Sequence, residues 1–224
     1  MDMQDIVIIG AGGFGREVQW LIERINKKCK QDSGNDKWRL LGYVDDNTET
    51  GTEIDGLQVL MTVDDLAQRE SSLSVVCAIG TSEVRKKVVS RISSNKTLIF
   101  PNLIDPTVQM SDRVETGKGN IICAGCILTV DISIKDFCIV NLDCTIGHDG
   151  KLGSFSTLCP GVNMSGEVEI SEGVEIGTGS QIIQGKRIAS GCKIGAGAVV
   201  VKDIVEPGTY VGVPARKVLW DRAK

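Results

Sequence analysis

Two hydrophobic periods divide the chain. Near the start, Ile6 to Ile9 form an apolar run that ends in Gly10-Ala11-Gly12-Gly13-Phe14-Gly15, and Val18, Leu21, Ile22 and Ile25 follow at the spacing of an amphipathic helix. The pattern predicts a strand, a glycine turn and a helix. The charged stretch Lys27 to Lys37 reads as a solvated loop, Trp38 to Val44 as a second strand ending at Asp45-Asp46-Asn47, and Thr62-Val63-Asp64-Asp65-Leu66 as the start of a short helix. Leu73 to Ile79 is a third strand and Ser82 to Ile92 a third helix. Strand and helix in alternation predict a small parallel α/β unit over residues 1–97.

From about residue 98 helical spacing gives way to a six-residue beat. Ile122, Leu128, Ile134, Val140, Ile146, Leu152, Leu158, Met164, Ile170, Ile176, Ile182, Ile188, Ile194 and Val200 are all aliphatic and six apart. Val108 and Val114 keep the beat two residues out of register, which implies a small insertion near Gly117-Lys118-Gly119. Residues two before each aliphatic are mostly small or branched, among them Cys126, Cys138, Cys144, Ser156, Ser180 and Cys192; they share a face with it, so the core is thin. Three residues after the aliphatics, glycine recurs at Gly125, Gly161, Gly173, Gly179, Gly185, Gly191 and Gly197, where a corner favours positive φ. Short strands joined by such corners stack into a parallel β-helix of about five turns, filling residues 98–224 together with a C-terminal tail.

Composition narrows the function classes. The net charge of −4, with both signs interspersed, offers no basic stripe for nucleic acid. No apolar run approaches the 18 residues of a membrane helix, and Met1-Asp2-Met3-Gln4-Asp5 lacks the features of a signal peptide, so a cytoplasmic protein is expected. Of eight cysteines, four fall at inward small-residue positions, while Cys123 and Cys159 fall one past an aliphatic and are expected to point outward. Cys123-Ala124-Gly125-Cys126 has no partner motif that would complete a zinc site, so no metal is expected.

The unbroken hexapeptide phase followed by Glu206-Pro207-Gly208-Thr209-Tyr210-Val211-Gly212-Val213-Pro214-Ala215-Arg216 resembles the left-handed β-helix acyltransferases. With the α/β unit in front, the whole chain resembles the bacterial family that holds NeuD-type sialic acid O-acetyltransferases and N-acetyltransferases of nucleotide-linked amino-deoxy sugars. The resemblance implies left-handed coils, acetyl-coenzyme A as acyl donor, a homotrimer with the donor in a groove between neighbouring subunits, and a role in surface glycan biosynthesis.

His148 is the only imidazole, and it falls at a corner two residues past Ile146. Acyl transfer from a thioester needs a base that titrates near neutrality, and histidine supplies one. Asp149 stands beside it to orient the ring or stabilise its cation, and Asn141…His148-Asp149 matches the family's Asn-x6-His-Glu/Asp arrangement. The resemblance further implies a role for Asn141 in positioning substrate and an oxyanion contact from the backbone of Gly166, one coil on, whose missing side chain would admit the thioester. It implies Thr157, Thr178 and Ala196 along the pantetheine path, and Arg216 or Lys217 near the coenzyme phosphates. Many relatives have a second histidine where Thr157 stands, and many have one at Phe14.

Gly10-x-Gly12-x-x-Gly15 between a strand and a helix can cradle a phosphate. About 95 residues hold only one mononucleotide-sized half, too little for a dinucleotide site. Gly12, Gly13 and Phe14, Asp45 and Asp46, and Gly80 and Thr81 lie in three loops that open at one edge of the parallel sheet, and the resemblance makes them the pocket for a nucleotide-linked amino sugar. The expected activity is N-acetylation. O-acetylation of sialic acid or another sugar, a non-catalytic scaffold or nucleotide-sugar sensor, and an NAD-dependent oxidoreductase are the alternatives.

Overall fold

In a computed structural model that describes residues 3–218, the chain divides into two compact units, Met1–Pro106 with Lys118–Asn120 and Thr107–Gly117 with Ile121–Lys224. Residues 1–2 and 219–224, the two ends of the predicted domains, lie outside the described residues.

In the first unit the elements are β1 (Gln4–Ile9), α1 (Gly13–Ser33), β2 (Trp38–Val44), β3 (Glu53–Ile54), β4 (Leu57–Met61), α2 (Val63–Ala67), β5 (Leu73–Cys77), α3 (Ser82–Ile92) and β6 (Leu98–Ile99). They build a sheet of order β3-β4-β2-β1-β5-β6, parallel except at the β3–β4 hairpin. β1 from Ile6 to Ile9 and β5 along its whole length are buried, as central strands covered on both faces must be. Helix α1 continues through Ser33, so most of the stretch expected to be a loop is helical. Residues 27–33 contain no helix breaker; apolar spacing stops at Ile25 because the last turns face water, and Lys28 and Asp32 pair across one turn at 2.9 Å. Gly34, at φ 83°, ends the helix in the left-handed conformation and returns its N–H to the Lys30 carbonyl. Strand β4 was not foreseen, although its hairpin turns on Asp55-Gly56, a pair suited to positive φ at both positions.

The second unit is a parallel β-helix. In-register strands at Gln109, Ile127, Thr145, Asn163, Gln181 and Val199 form one of its sheets, so five 18-residue turns separate the first from the last. Met110 pairs with Leu128 and Thr116 with Ile134, so the beat runs unbroken through Gly117-Lys118-Gly119 and the expected insertion is absent. Val108 and Val114 occupy the inward positions two before the beat, which valine fills as well as it fills the beat itself.

The corners obey one rule. Gly125, Gly161, Gly173, Gly179, Gly185, Gly191 and Gly197 have positive φ, and so do Asp131, Phe137, Asp143, Asp149, Phe155 and Glu167 at the same phase. Inward small residues do more than leave room. Cys126, Cys138 and Cys144 direct their Sγ to the carbonyls of Asn141, Gly153 and Cys159 at 3.0, 3.1 and 3.2 Å, and Ser156 and Ser180 direct their Oγ to Ser171 and Gly195 at 2.8 and 2.9 Å. Each donor satisfies a corner carbonyl fifteen residues ahead. Cys123, expected to face outward, is buried, and Cys159 is half-buried.

Candidate active site

His148 and Asp149 are the two turn residues of one corner of the β-helix. The strand Thr145–Ile146 ends with Ile146 in the core, Gly147 returns its N–H to the Met164 carbonyl of the next coil, and the chain then turns so that both following side chains face out. The imidazole is 48% exposed and the carboxylate 58%. His148 Nδ1 lies 2.8 Å from Asp149 Oδ2; with the carboxylate ionised, Nδ1 carries the proton and donates it, which leaves the Nε2 lone pair as the basic site.

The other face of the ring rests on Gly166, one coil on. A Cβ at Gly166 would overlap Nε2 and would stand 2.5 Å from Cε1 and 2.8 Å from Cδ2. The space that glycine leaves is therefore filled by the imidazole, a different reason for glycine from the approach of a thioester. The next residue ties the same corner: Glu167 N–H donates to the His148 carbonyl at 2.7 Å. Among the described residues the Gly166 N–H has no acceptor. The equivalent N–H is also unused at other corners, and Pro160, which has none, occupies that position at Cys159-Pro160-Gly161.

The remaining acyl-donor candidates lie elsewhere on the β-helix. Asn141 begins the preceding corner, where its Oδ1 accepts from Leu142 N–H at 2.8 Å, and no hydrogen bond described joins it to His148. Thr178 and Ala196 are exposed at that same edge, one coil apart, and the Thr178 carbonyl accepts from Gly197 N–H. Thr157 is buried on the sheet that ends at this edge. Arg216 is exposed in a short strand antiparallel to Thr209–Val211, and Lys217 pairs with Glu206 at 2.9 Å. Beside Asp149 opens a cavity of about 350 Å³ lined by Asp131, Asp149, Lys151, Glu167, Glu169 and Arg187.

In the α/β unit the glycine turn divides by reason. Gly10 has φ 100°, and a Cβ at Gly15 would run into the Gly10 carbonyl, so the fold itself requires both. Gly12, Gly13 and Gly80 lack left-handed backbones, and a Cβ on any of them would meet nothing within 4 Å. Their missing side chains leave open space at the start of α1, where the Gly13, Phe14 and Gly15 N–H groups find no acceptor among the described residues and the first turn carries no acid. Phe14 is half-buried and Thr81 exposed. Asp45 Oδ2 accepts from Ala11 N–H at 2.8 Å and its Oδ1 from the Asn47 and Thr48 N–H groups, so this carboxylate holds the glycine turn in place. Asp46 faces the helices: Val63 N–H and Arg91 take its two oxygens.

The PglD N-terminal domain family matches residues 5–92. Over 167 residues, 73% of this chain and 71% of the relative, the sequence is 31% identical to the GDP-perosamine N-acetyltransferase of Escherichia coli O157:H7. The chain belongs to this family of sugar acetyltransferases. The acetyltransferase is also similar in structure to the acetyltransferase domain of PglB from Neisseria gonorrhoeae FA1090 in complex with acetyl coenzyme A. That match has a TM-score of 0.84 at 28% identity and covers 97% of this chain and 100% of the other. PerB from Caulobacter crescentus, in complex with CoA and GDP-perosamine, matches with a TM-score of 0.79 at 26% identity, covering 97% and 99%. The coils of the acetyltransferase are accordingly those of a left-handed β-helix.

One residue of the acetyltransferase escaped the sequence reading. Arg85 lies at the apolar spacing of α3 with Val88, Val89 and Ile92 and is 1% exposed. A charge on the buried stripe of a helix was the available signal.

Proposed function

We propose that the enzyme uses acetyl-coenzyme A to acetylate the amino group of a nucleotide-linked amino-deoxy sugar in bacterial surface glycan biosynthesis. The observation that carries this reading is the half-exposed imidazole whose Nδ1 is held by Asp149 and whose ring face lies on Gly166. His148 Nε2 takes the proton from the acceptor nitrogen as the new C–N bond forms and the thioester C–S bond breaks; the proton then passes to the departing thiolate. Asp149 fixes the tautomer and stabilises the imidazolium. The free Gly166 N–H meets the oxyanion that develops on the thioester oxygen. Asn141 positions substrate, Thr157, Thr178 and Ala196 line the pantetheine path, and Arg216 meets the coenzyme phosphates. Gly12, Gly13, Phe14, Asp45, Gly80 and Thr81 form the nucleotide-sugar pocket, supported by the open space at the three glycines, with Asp46 bracing its wall.

A homotrimer in the cytoplasm belongs to the same reading. Among the described residues no helix is long and apolar enough to cross a membrane.

Initial rates with GDP-, UDP- and dTDP-linked 4-amino-6-deoxy sugars, compared with free sialic acid, test the acceptor. Turnover of one of the amino sugars is expected, and turnover of sialic acid alone would replace N-acetylation by O-acetylation. In His148→Ala, kcat is expected to fall by about 10²–10⁴-fold with the melting temperature unchanged, since the ring is half in water. Wild-type turnover in that variant removes His148 as the base.

A further inference from the structure

Arg85 is a guanidinium buried on the inner stripe of α3, and its Nη1 donates to two successive carbonyls of the loop after β5, Ile79 at 2.6 Å and Gly80 at 2.9 Å. A buried cation is costly unless its donors are well placed, and this one spends donors on a loop four residues long. The loop borders the glycine turn: a Cβ at Gly10 would stand 3.0 Å from the Ala78 carbonyl oxygen and 3.3 Å from the Ile79 side chain. The position of a Cβ at Gly80, by contrast, is open.

Carbonyl oxygens on a pocket rim repel a phosphate, whereas backbone N–H and Cα–H groups attract it. Arg85 draws two consecutive carbonyls toward α3, so their negative ends point to the guanidinium and the N–H groups of the same trans peptides, those of Gly80 and Thr81, point the other way. The charge is felt at the end of β5: burial pushes the Cys77 thiol up to about 12, and the guanidinium pulls against that shift.

We propose that Arg85 is a positioning residue that sets the anion-accepting rim of the nucleotide pocket without touching the reacting atoms. The inference rests on the reading of the α/β unit as that pocket. It predicts a split between substrates: weaker nucleotide recognition, unchanged acetyl-coenzyme A recognition and unchanged chemistry at saturation.

The test measures binding of GDP and UDP by calorimetry, and steady-state kinetics with the nucleotide-linked amino sugar that is turned over, in Arg85→Met and Arg85→Lys. In Arg85→Met the Kd of the nucleotide and the KM of the sugar substrate should rise about tenfold, with kcat and the KM of acetyl-coenzyme A within about twofold of wild type. Arg85→Lys keeps a cation but not the planar fork and should fall between. If Arg85→Met does not fold, Arg85→Lys decides alone. Nucleotide affinity within twofold of wild type in the folded variants, or an equal rise in both KM values, overturns the inference. Gly13→Val, which fills the cradle, separates the two levels. Lost binding there beside wild-type binding in the Arg85 variants sinks the role of Arg85 and leaves the pocket standing. Wild-type binding in Gly13→Val sinks the pocket, and the inference with it.

Discussion

At the residue scale the proposed chemistry rests on a contact between one ring and one missing methyl group. Asp149 is the corner residue with φ 58°, a left-handed conformation that aspartate tolerates better than most residues, and this backbone brings its carboxylate alongside the Nδ1 of the preceding residue. Gly166 then supports the ring from the neighbouring coil. Two roles of Gly166 can be separated by one substitution, because Gly166→Ala keeps the N–H proposed for the oxyanion and removes only the space for the imidazole. If the N–H were all that mattered, alanine would be harmless. Displacing a catalytic group by about 1 Å can cost on the order of 10²-fold, so kcat in Gly166→Ala is expected to fall by about that factor while acetyl-coenzyme A still binds. Wild-type kcat with the ring undisturbed would show that glycine is not needed as a seat.

At the element scale the coils are held by groups that hydrophobicity alone would not suggest. Cys138 satisfies the Gly153 carbonyl through its thiol, as Ser156 satisfies that of Ser171 through a hydroxyl. Cys138→Ser keeps a donor in the same place and should change stability by less than about 1 kcal/mol, whereas Cys138→Val leaves the carbonyl only the Ser156 N–H at 3.3 Å and adds bulk, at about 1–3 kcal/mol. Denaturant midpoints of the two variants give the comparison, and equal losses would count against the donor role. In the α/β unit Arg91 joins Asp46 at 2.5 Å and Asp64 at 2.7 Å. Burial pushes the Asp46 carboxyl up, but the Arg91 and Val63 N–H hydrogen bonds and the Arg91 charge outweigh it, and the net shift is downward from 3.8. A carboxyl lowered by folding stabilises fully above its unfolded value and loses that contribution as pH falls below it. With both partners about a third exposed, Asp46→Asn should cost about 1 kcal/mol at neutral pH, and the gap to wild type should close below about pH 4. A gap that persists in acid unfolding curves refutes the ion pair as its source. The elements themselves were legible to the extent that burial was periodic. Trp38–Val44 and Ser82–Ile92 carry clear signals, whereas the last turns of α1 bury nothing after Ile25 and their helicity left only the weaker traces of an i,i+4 pair and the stop at Gly34.

At the scale of the whole molecule, a repeating fold distributes stability along its length, and that is also why its sequence was so readable. Each coil presents the same inward positions to its neighbours, so the beat records the core directly; it blurs only at the first coil, where Met110 is 39% exposed and Thr116 half-buried, and there valines two residues away carried the apparent phase. The site was legible only as residue types at a corner. That the ring lies on Gly166, and that Asp45 braces the glycine turn, are contacts between residues 18 and 34 positions apart that no local pattern contains. In a stack of near-identical units the cost of a cavity follows the number of neighbours that surround it. Leu158 is fully buried in a central coil, and Leu158→Ala should cost about 2–5 kcal/mol. Met110 occupies the same phase at the first coil but already faces water, and the burial it loses in Met110→Ala should amount to less than about 1.5 kcal/mol. Equilibrium unfolding of the two variants side by side decides the matter: equal penalties would mean that the first coil is as enclosed as the middle, contrary to the exposure of Met110.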